Sequence, residues 1–568
     1  MFGGKILLEM LKEHDVTCVF GLPGETTLRW YDSWKDFKDI EHVMVRDERN
    51  SVFMADAYAK VSGKPGVCEG PSVGAPHMLP GIVEAWSSSV PIIAITSDIP
   101  LWGEKHNVLT GADQTSMFKA FVKESLTVHK ASEIPFIVRR AFRLAVSGRP
   151  GPVHIRIPQD VFEEDIEVCD LFAQKEFGAF PGKRFSASQD DILRAADILK
   201  NALRPVFICG QGALSSGAWE EVRKSAELFG AAVLSTINGK GIIDENHPLS
   251  CGVCGARGAN SFSNGVVNDA DAIFIIGSST DSVGTSWWSV PSKGSSAKII
   301  QLNVSEAELG NNYRADVLMQ GDAKETLSAM LSLCADFKKD FEKYKNLLSQ
   351  KRASYEASVK EAKESHDFPI NPIALMAKIE EYMPEDSILV VDPGTAAVYP
   401  AGFIKAAGGR RNFVCNFAQG ALGYASSAAI GAAKASPKST IIHITGDGSL
   451  GFCTGEYETL ARTGCNVKVL LINNRSFGWI RVSNAMAFEN EPFATEFSDV
   501  DYIKIMDGFR IPADRVEKEC ELEDRLKELF EKNGPGFLEI PCEPEDKCVP
   551  PVPGWAEKVR ARGEKNYY

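Results

Sequence analysis

Short runs of apolar residues recur along the 568-residue chain, separated by stretches in which apolar and polar positions follow a helical spacing. Clear examples of the apolar runs lie within residues 204–214, 231–241 and 271–279. Runs of this length are typical of strands that are buried on both faces, and their alternation with helical stretches is typical of a parallel sheet. The pattern therefore predicts an α/β fold.

Two segments interrupt this alternation and divide the chain into three predicted domains. Residues 163–189 mix charge, glycine and proline without sustained periodicity, which predicts a connector. A charged, largely helical pattern begins near Ala335 and ends at Pro369 and Pro372. A chain of this length is too long for a single core. We therefore predict three domains, at residues 1–165, 190–335 and 370–550.

The carboxy-terminal third contains the most informative segment. Apolar residues 441–444 and 467–472 predict two parallel strands, and residues 456–462 predict a helix that crosses between them. Asp447 and Asn474 lie just after the two strands. The carboxyl ends of parallel strands share one edge of a sheet, so this edge gains a carboxylate and an amide oxygen.

Those oxygens favour a magnesium and diphosphate site. Gly446 and Gly448 let the backbone approach an anion where free amide groups favour negative charge. Mg²⁺ takes six oxygens in octahedral array, and carboxylate, amide, carbonyl and phosphate oxygens all suit it. The alternative is an ordinary βαβ unit in which Gly-Asp-Gly only turns the chain.

Two other segments offer further chemistry. Residues 43–45 predict the end of a strand and residues 50–60 a helix, with Glu48 near the junction. On its own, an acid at a helix start only complements the helix dipole. Residues 416–433 are dense in glycine and alanine, which allows close packing against a flat ligand, and Leu422 is the bulky exception in that segment. The alternative for this segment is a small-residue helix in a core.

Together the three segments resemble the thiamine diphosphate enzyme family, in which GDG is followed at a fixed distance by NN. Here Asn474 follows Asp447 by 27 residues. The resemblance covers nearly the whole chain, including VFGLPG at 19–24 and GRPGPVHIRIP at 148–158, and is to the acetolactate synthase, pyruvate oxidase and 2-oxo acid decarboxylase group. It implies three doubly wound parallel-sheet domains: an amino-terminal pyrimidine-binding domain, a central Rossmann-like domain and a carboxy-terminal diphosphate-binding domain.

The resemblance also implies the cofactors and a set of site residues. The cofactors are thiamine diphosphate and Mg²⁺. The metal ligands implied are Asp447, Asn474 and the carbonyl of Ser476, and the other cofactor-binding residues implied are Gly394, Thr395, Gly420, Leu422, Gly446, Gly448 and Ser449.

Two of the implied roles are catalytic. Glu48 is expected to hydrogen-bond N1′ of the aminopyrimidine, in an apolar setting that excludes water. Leu422 is expected to wedge between the two cofactor rings, while the Gly420 carbonyl accepts a hydrogen bond from the 4′-amino group.

The resemblance weakens in the central domain and in the substrate pocket. Ser279 stands where acetolactate synthases carry an arginine for FAD, and Asn303 stands where relatives often have Asp, so we expect FAD to be absent or dispensable. Such a domain would be structural or would hold another nucleotide. In the pocket, Thr110 lies near the position of a substrate-facing Gln of the synthases, and Ser483 occupies the position of their specificity Trp, while Trp479 lies closer to the metal loop.

His77 falls within the amino-terminal loop GPSVGAPHMLPG, which differs from the synthase pattern. A lone histidine is more often packed or hydrogen-bonded than catalytic. A proton donor near the thiazolium would nevertheless protonate an enamine, so we include His77 as a third candidate catalytic residue.

The leading hypothesis is a lyase or ligase that depends on thiamine diphosphate and Mg²⁺ and acts on a 2-oxo acid such as pyruvate. Alternatives are a non-flavin 2-oxo acid decarboxylase, a 2-hydroxyacyl-CoA lyase, a sulfoacetaldehyde acetyltransferase or, in a different class, a non-catalytic binding subunit. Family resemblance also implies a homodimer or homotetramer whose active sites lie between subunits, with Glu48 and Asp447 of one site contributed by different chains.

Composition excludes several other classes. A net charge of −14 provides no basic footprint for nucleic acid. No apolar run is long enough to span a bilayer, and the amino-terminal apolar residues are interrupted by charges, which predicts an amphipathic helix. Thirteen scattered cysteines suit reduced thiols in the cytoplasm, and Cys251 and Cys254 form a CxxC without a second pair at zinc-site spacing.

Overall fold

Three six-stranded parallel sheets, each with helices packed on its faces, form the computed structural model of the protein, which describes residues 1–488 and 492–562. All strand pairs within the sheets are parallel. The central strands of the sheets are buried along all or nearly all of their length, as continuous apolar runs predict. The predicted α/β class with three doubly wound sheets is confirmed.

The amino-terminal sheet has the strand order β2-β1-β3-β4-β6-β5. Its strands are β1 (Cys18–Gly21), β2 (Glu41–Met44), β3 (Gly66–Gly70), β4 (Ile92–Asp98), β5 (Ser125–Thr127) and β6 (Val153–Pro158). Its helices are α1 (Gly3–Glu13), α2 (Leu28–Trp34), α3 (Glu48–Ser62), α4 (Ala75–Ser87), α5 (Gln114–Phe118), α6 (Ile134–Val146) and α7 (Gln159–Glu163).

The central sheet has the order β12-β11-β10-β7-β8-β9, which is the Rossmann order, and its switch point lies between β7 and β10. Its strands are β7 (Pro205–Cys209), β8 (Ala232–Ser235), β9 (Ser250–Val253), β10 (Ala272–Ile276), β11 (Lys298–Asn303) and β12 (Val317–Gln320). Its helices are α8 (Gln189–Asn201), α9 (Gln211–Ser215), α10 (Trp219–Phe229), α11 (Ser261–Asn268) and α12 (Ala323–Leu333), and α13 (Glu342–Lys363) follows as the predicted charged helix.

The carboxy-terminal sheet has the order β14-β13-β15-β16-β18-β17, which repeats that of the amino-terminal sheet. Its strands are β13 (Ile388–Val391), β14 (Phe413–Val414), β15 (Ile441–Gly446), β16 (Val467–Asn473), β17 (Ala513–Arg515) and β18 (Gly536–Pro541). Its helices are α14 (Pro372–Tyr382), α15 (Thr395–Phe403), α16 (Tyr424–Ala435), α17 (Asp447–Leu450), α18 (Glu456–Thr463), α19 (Gly478–Phe488), α20 (Tyr502–Gly508), α21 (Leu522–Glu531) and α22 (Pro553–Ala561).

Helices α3 and α16 join the first and third sheets within one core. The two backbones come so close that a Cβ atom on Gly431 would lie 2.0 Å from the Met54 carbonyl oxygen, so only glycine fits there. Charged groups at this contact are buried but paired: Lys60 contacts Asp56 at 2.7 Å, and the Tyr424 hydroxyl donates to Asp56 at 2.6 Å. The small residues of segment 416–433 thus serve helix packing as well as any ligand.

The strands of the three sheets lie within residues 1–165, 190–335 and 370–550, and we propose these ranges as the domain limits. Residues 489–491, inside the third range, lie outside the described residues. Helix α22 follows residue 550 but packs on α19 through Val559, Val482 and Met486, so we extend the third domain to Ala561.

All thirteen cysteines are free thiols, and both members of the CxxC are buried. A search of the described residues finds no helix with the length and apolar character that crossing a bilayer requires.

Candidate active site

A cavity of about 480 Å³ lies at the carboxyl ends of β13, β15 and β16. Among the described residues, its lining comes from the central and carboxy-terminal domains. Every residue predicted to bind the diphosphate, the thiazolium or the metal lines it: Gly394, Thr395, Gly420, Leu422, Gly446, Asp447, Gly448, Ser449, Asn474 and Ser476. The fold therefore brings these residues from four separate segments into one place.

Asp447 is the most unusual side chain of this cavity. It is 5% exposed, and its Oδ1 atom accepts the Gly448 N–H at 3.0 Å, but its Oδ2 atom is buried without a hydrogen-bond partner. Burial, aided by the charge of Glu545, raises the pKa of Asp447 to about 7. A buried carboxylate oxygen without a partner is costly, and a cation at this point would satisfy it.

Asn474 and Ser476 lie on the turn after β16. The Asn474 side-chain amide donates to Glu545 at 2.8 Å, while its Oδ1 atom accepts from the backbone N–H and hydroxyl of Ser476 at 3.2 and 3.1 Å. Glu545 is buried and thus fixes the direction of the Asn474 amide. The donor set is a carboxylate, an amide oxygen and a nearby backbone carbonyl, which suits Mg²⁺.

The glycine turn between β15 and α17 is shaped for close approach. A Cβ atom on Gly448 would lie 2.7 Å from the Phe477 ring, so a larger residue does not fit without movement. The first helix after β15 is the short α17, which begins at Asp447 itself, and the predicted helix at 456–462 follows as α18. Amide groups of this turn line the cavity beside the buried Ser449, in an arrangement that suits a diphosphate.

Gly420 and Leu422 lie on the loop that precedes α16. Gly420 has a φ of +78°, a conformation that glycine adopts without strain. The buried Glu84, on α4 of the amino-terminal domain, accepts the N–H groups of Gln419 and Gly420 at 2.7 and 3.4 Å. Burial raises the pKa of Glu84. The fold thus uses a distant carboxyl to hold the backbone whose carbonyl is predicted to meet the 4′-amino group.

Glu48 and His77 form a second cluster, in the amino-terminal domain. Glu48 is the first residue of α3 and is 5% exposed, and it packs so closely on Gly74 that a Cβ atom there would lie 2.2 Å from its Oε1 atom. The His77 Nδ1 atom lies 3.2 Å from Glu48 Oε2, while the His77 side chain is 60% exposed. The cluster therefore pairs a buried acid with an exposed imidazole.

The structure does not bring Glu48 into the cavity that contains Asp447. Neither Glu48 nor His77 is among the described residues that line it. Exposed apolar side chains accompany each cluster. Val73 adjoins Gly74, on which Glu48 packs, and Leu109 adjoins Thr110, which is bonded to Ser72. Ile480 lines the Asp447 cavity, and the Phe452 N–H donates to the Ser449 carbonyl. One chain thus carries the predicted site residues in two separate clusters, each with exposed apolar side chains beside it.

The residues predicted to shape the substrate pocket are divided between these two parts. The Thr110 carbonyl accepts a hydrogen bond from the Ser72 hydroxyl at 2.8 Å, which places Thr110 against the loop that leads to His77. The Ser483 hydroxyl donates to the Trp479 carbonyl on α19, and Trp479 lines the cavity.

Sequence reasoning missed Glu84, Glu545 and Arg257. Glu84 lies 335 residues before the backbone it holds, and Glu545 lies 71 residues after Asn474, so no local spacing reveals either role. Arg257, in the central domain, reaches the cavity and lies over the Trp479 ring at 4.3 Å. In hindsight the only signal for Glu84 is an acid in a helix whose other inward residues are apolar.

A second cavity, of about 340 Å³, lies at the switch point of the central sheet and is called here the central crevice. Several of its polar side chains are paired within the protein. Asn303 donates to the Ser278 carbonyl at 3.2 Å and accepts the Ser305 N–H at 2.9 Å, and Arg149 pairs with Glu308 at 2.7 Å. Ser279, at the position of the flavin-binding arginine of the synthases, is exposed.

Comparison with known proteins identifies the class. Three thiamine pyrophosphate enzyme models match the chain: the N-terminal TPP binding domain over residues 1–117, the central domain over 192–330 and the C-terminal TPP binding domain over 392–540. The chain therefore belongs to the thiamine pyrophosphate enzyme family.

Individual relatives show which members of this family the chain is similar to. The chain is 31% identical to a probable acetolactate synthase large subunit of Methanocaldococcus jannaschii, with 97% of this chain and 94% of the relative aligned. It is 31% identical to the acetolactate synthase of Arthrospira platensis, over 97% and 96% of the two chains. It is 28% identical to the acetolactate synthase isozyme 1 large subunit of Escherichia coli K12, over 99% and 98%. The protein is thus a thiamine pyrophosphate-dependent enzyme that resembles acetolactate synthase large subunits.

Proposed function

We propose that the protein is a lyase or ligase that uses thiamine diphosphate and Mg²⁺ to act on a 2-oxo acid such as pyruvate, with decarboxylation and, in the leading version, carboligation. The observation that carries the proposal is the buried, unpartnered Asp447 Oδ2 beside Asn474 and Ser476. A metal-bound diphosphate explains why a folded chain retains a carboxylate oxygen in that setting.

Asp447, Asn474 and the Ser476 carbonyl would hold the metal, and the turn at Gly446, Gly448 and Ser449 would hold the diphosphate. When bound, thiamine diphosphate supplies a carbon nucleophile and an electron sink for decarboxylation. Glu545 keeps the Asn474 amide oriented, because it accepts from the Asn474 nitrogen at 2.8 Å. Gly394 and Thr395 line the same cavity and complete the cradle.

Glu48 and His77 are the groups that would handle protons. The Glu48 carboxyl, buried against Gly74, would hold a proton on the aminopyrimidine at N1′. The His77 Nδ1 atom lies within reach of Glu48 Oε2, so the imidazole would exchange protons with that carboxyl or give one to the reacting carbon. Leu422 would exclude water and set the angle between the cofactor rings.

The two separate parts of the site support a homodimer or a larger homo-oligomer. Glu48 of one chain would face the Asp447 cavity of a second chain, and the exposed Val73, Leu109, Phe452 and Ile480 would be covered on assembly. This arrangement also explains why the cavity of one chain includes none of the described amino-terminal residues.

We further propose that the enzyme needs no flavin. Two of the larger polar side chains of the central crevice, Asn303 and Arg149, are already paired within the protein. An enzyme without flavin also fits the alternatives to the leading version, which are a 2-oxo acid decarboxylase, a 2-hydroxyacyl-CoA lyase and a sulfoacetaldehyde acetyltransferase. The thirteen free cysteines are consistent with a reducing cytoplasm.

Product analysis tests the proposal. The purified chain with thiamine diphosphate, Mg²⁺ and pyruvate is assayed for carbon dioxide, free aldehyde and a carboligated product. Carbon dioxide with a carboligated product supports the leading version, and carbon dioxide with aldehyde supports the simple decarboxylase. Absence of all three with every 2-oxo acid tried would contradict the proposal.

A non-catalytic subunit remains the alternative of a different class. Glu48→Gln separates the two, because an enzyme loses exchange of the thiazolium C2 proton while a binding subunit shows none in either form. The presence of Glu48, the wedge Leu422 and the metal ligands in one chain favours the enzyme.

A further inference from the structure

Arg257 occupies an unusual place in the cavity. It follows β9 in the central domain and lines the cavity together with Trp479, Gly394 and Asp447. Among the described residues that line this cavity, Arg257 is the only lysine, arginine or histidine. The central domain thus contributes one cation to a described lining that comes mostly from the carboxy-terminal domain.

The Arg257 guanidinium has no carboxylate partner in the described part of the chain. Its one hydrogen bond is a long contact of 3.4 Å with the Ala256 carbonyl oxygen. Burial lowers the pKa of Arg257 to about 10, and no acid contributes to that shift, although Asp447 and Glu545 line the same cavity. The guanidinium is therefore partly stripped of water and has no counter-ion among the described residues.

The position of Arg257 is fixed rather than adaptable. The guanidinium carbon lies 4.3 Å from the centre of the Trp479 ring, which orients the planar group. On either side, Ala256 N–H bonds the Val283 carbonyl at 2.8 Å and Gly258 N–H bonds the Pro551 carbonyl at 3.0 Å. Gly255 is held by two hydrogen bonds of 2.9 Å to the Asn264 side chain. A rigid, unpaired guanidinium is preorganised for a planar anion.

We propose that Arg257 binds the carboxylate of the 2-oxo acid and so selects substrates that carry one. The inference rests on the proposed function, because that function brings a carboxylate into this cavity. A guanidinium matches the planar carboxylate with two parallel hydrogen bonds, and such charge-assisted pairs are strong in a partly dry site. The carboxylate belongs either to the donor acid or, in carboligation, to the acceptor acid.

Kinetics of the assembled holoenzyme test the assignment. We expect Arg257→Met to lower kcat/KM for pyruvate by about 10- to 100-fold, chiefly through KM, because one charge-assisted interaction is lost. Arg257→Lys keeps the charge but loses the paired hydrogen-bond donors of the guanidinium. Its kcat/KM should therefore lie between those of the wild type and Arg257→Met. Arg149→Met is the matched control, since Arg149 is paired with Glu308 in the central crevice. Unchanged pyruvate kinetics in Arg257→Met would overturn the proposal.

Acceptor choice shows which carboxylate is bound. With pyruvate as donor and acetaldehyde as acceptor, Arg257→Met should retain carboligation to acetaldehyde while losing carboligation to a second pyruvate if Arg257 binds the acceptor. Equal loss with both acceptors assigns Arg257 to the donor. If affinity for thiamine diphosphate falls as much as affinity for pyruvate, Arg257 binds the cofactor instead and the proposal is wrong.

A binding measurement separates this inference from the proposed function. Calorimetric titration of pyruvate into the Glu48→Gln holoenzyme measures binding without turnover. Weaker binding in Glu48→Gln/Arg257→Met than in Glu48→Gln supports the carboxylate site even if the wild-type protein forms no product from pyruvate. Equal binding, or no pyruvate binding to either variant, contradicts it whatever the fate of the reaction.

Discussion

The carboxy-terminal cavity and the central crevice both lie at the carboxyl edges of parallel sheets, but they differ in how their polar groups are satisfied. Among the described residues, Asp447 Oδ2 in the cavity has no hydrogen-bond partner and the Arg257 guanidinium has no carboxylate partner. In the crevice, Asn303, Arg149 and Asp322 are all bonded to other protein groups. Buried polar groups are normally paired, so the unpaired ones indicate where a ligand completes the structure.

The difference shows that position at the carboxyl edge of a parallel sheet does not by itself predict which cavity binds a ligand. The sheet order places both cavities where ligands bind in α/β proteins, yet topology alone does not distinguish them. The local pairing of carboxylates and guanidinium groups does. We therefore propose cofactor chemistry for the cavity and, for the crevice, either a structural role or the binding of another nucleotide.

The largest effect is expected from Glu48, which tests whether the cavity needs a second chain. Glu48→Gln should slow C2 proton exchange by about 100- to 10,000-fold, the usual scale for one acid–base group. Binding of thiamine diphosphate and Mg²⁺ should change little, since the cavity of one chain excludes Glu48. Proton exchange is followed by NMR in deuterated buffer, and an unaffected rate would remove Glu48 from the mechanism.

Mixing two inactive variants sharpens the same point. Glu48→Gln and Asp447→Asn chains, refolded or co-expressed together, should regain part of the wild-type activity if one site takes Glu48 from one chain and Asp447 from another. Lack of any recovery in verified mixed oligomers would place both residues of each site in the same chain.

The paired variants Asp447→Asn and Asp322→Asn compare cavity and crevice directly. Thiamine diphosphate with Mg²⁺ should stabilise the wild type by about 2.7 kcal/mol at a concentration near 100 times Kd. Asp447→Asn should lose this ligand-induced rise in Tm. Asp322 accepts hydrogen bonds from Arg184, Ser216 and the Glu325 N–H, and Asp322→Asn removes its charge and one of its two acceptor oxygens, so it should lower the Tm of the apoprotein but keep the rise.

The raised pKa of Asp447 predicts how the stability of the apoprotein changes with pH. Burial raises its pKa from 3.8 to about 7, so between these values the folded state holds a proton that the unfolded state has lost. Stability from this group is therefore present near pH 4 and is lost as pH rises to 7, by roughly 2 to 4 kcal/mol. Asp447→Asn should flatten this fall in scanning calorimetry of the metal-free protein, and an equal slope in both proteins would contradict it.

A smaller effect is expected from Glu84, which joins the amino-terminal domain to the Gly420 loop. Glu84→Ala leaves two N–H groups without an acceptor and should lower kcat about 10-fold, while Glu84→Gln, which keeps an acceptor oxygen, should restore most of it. The KM for pyruvate should stay constant, since Glu84 does not line the cavity. A parallel loss in both variants would indicate a different role.

The smallest effect is expected from Arg149→Met in the central crevice. The Arg149–Glu308 ion pair is partly exposed, so its loss should cost less than about 1 kcal/mol in urea unfolding. Pyruvate turnover should be unchanged.

The purified wild-type protein should also show no stoichiometric flavin absorption band, and such a band would reverse the assignment of the crevice.

The pattern of apolar and polar residues predicted much of the fold and many of the residues that line the cavity. Strands 441–446 and 467–473 extend the predicted runs by one or two residues, because apolar runs buried on both faces are local signals. Asp447 and Asn474 could be predicted for the same reason, because each directly follows one of these two adjacent strands.

The residues that the sequence pattern did not predict are those that the fold brings to the cavity from distant parts of the chain. Glu84 comes from another domain, Glu545 from beyond β18, and Arg257 from the central sheet, and none has a fixed spacing to the motif it serves. The internal pairing of Asn303 and Arg149 is likewise a tertiary property, so the sequence suggested an altered crevice without showing that its groups are already satisfied.

Calorimetric titration of thiamine diphosphate into the purified chain, with and without Mg²⁺, tests the central claim most directly. We predict saturable binding of one cofactor per chain that requires the metal and disappears in Asp447→Asn. Failure of the wild-type chain to bind thiamine diphosphate in the presence of Mg²⁺ would contradict the account.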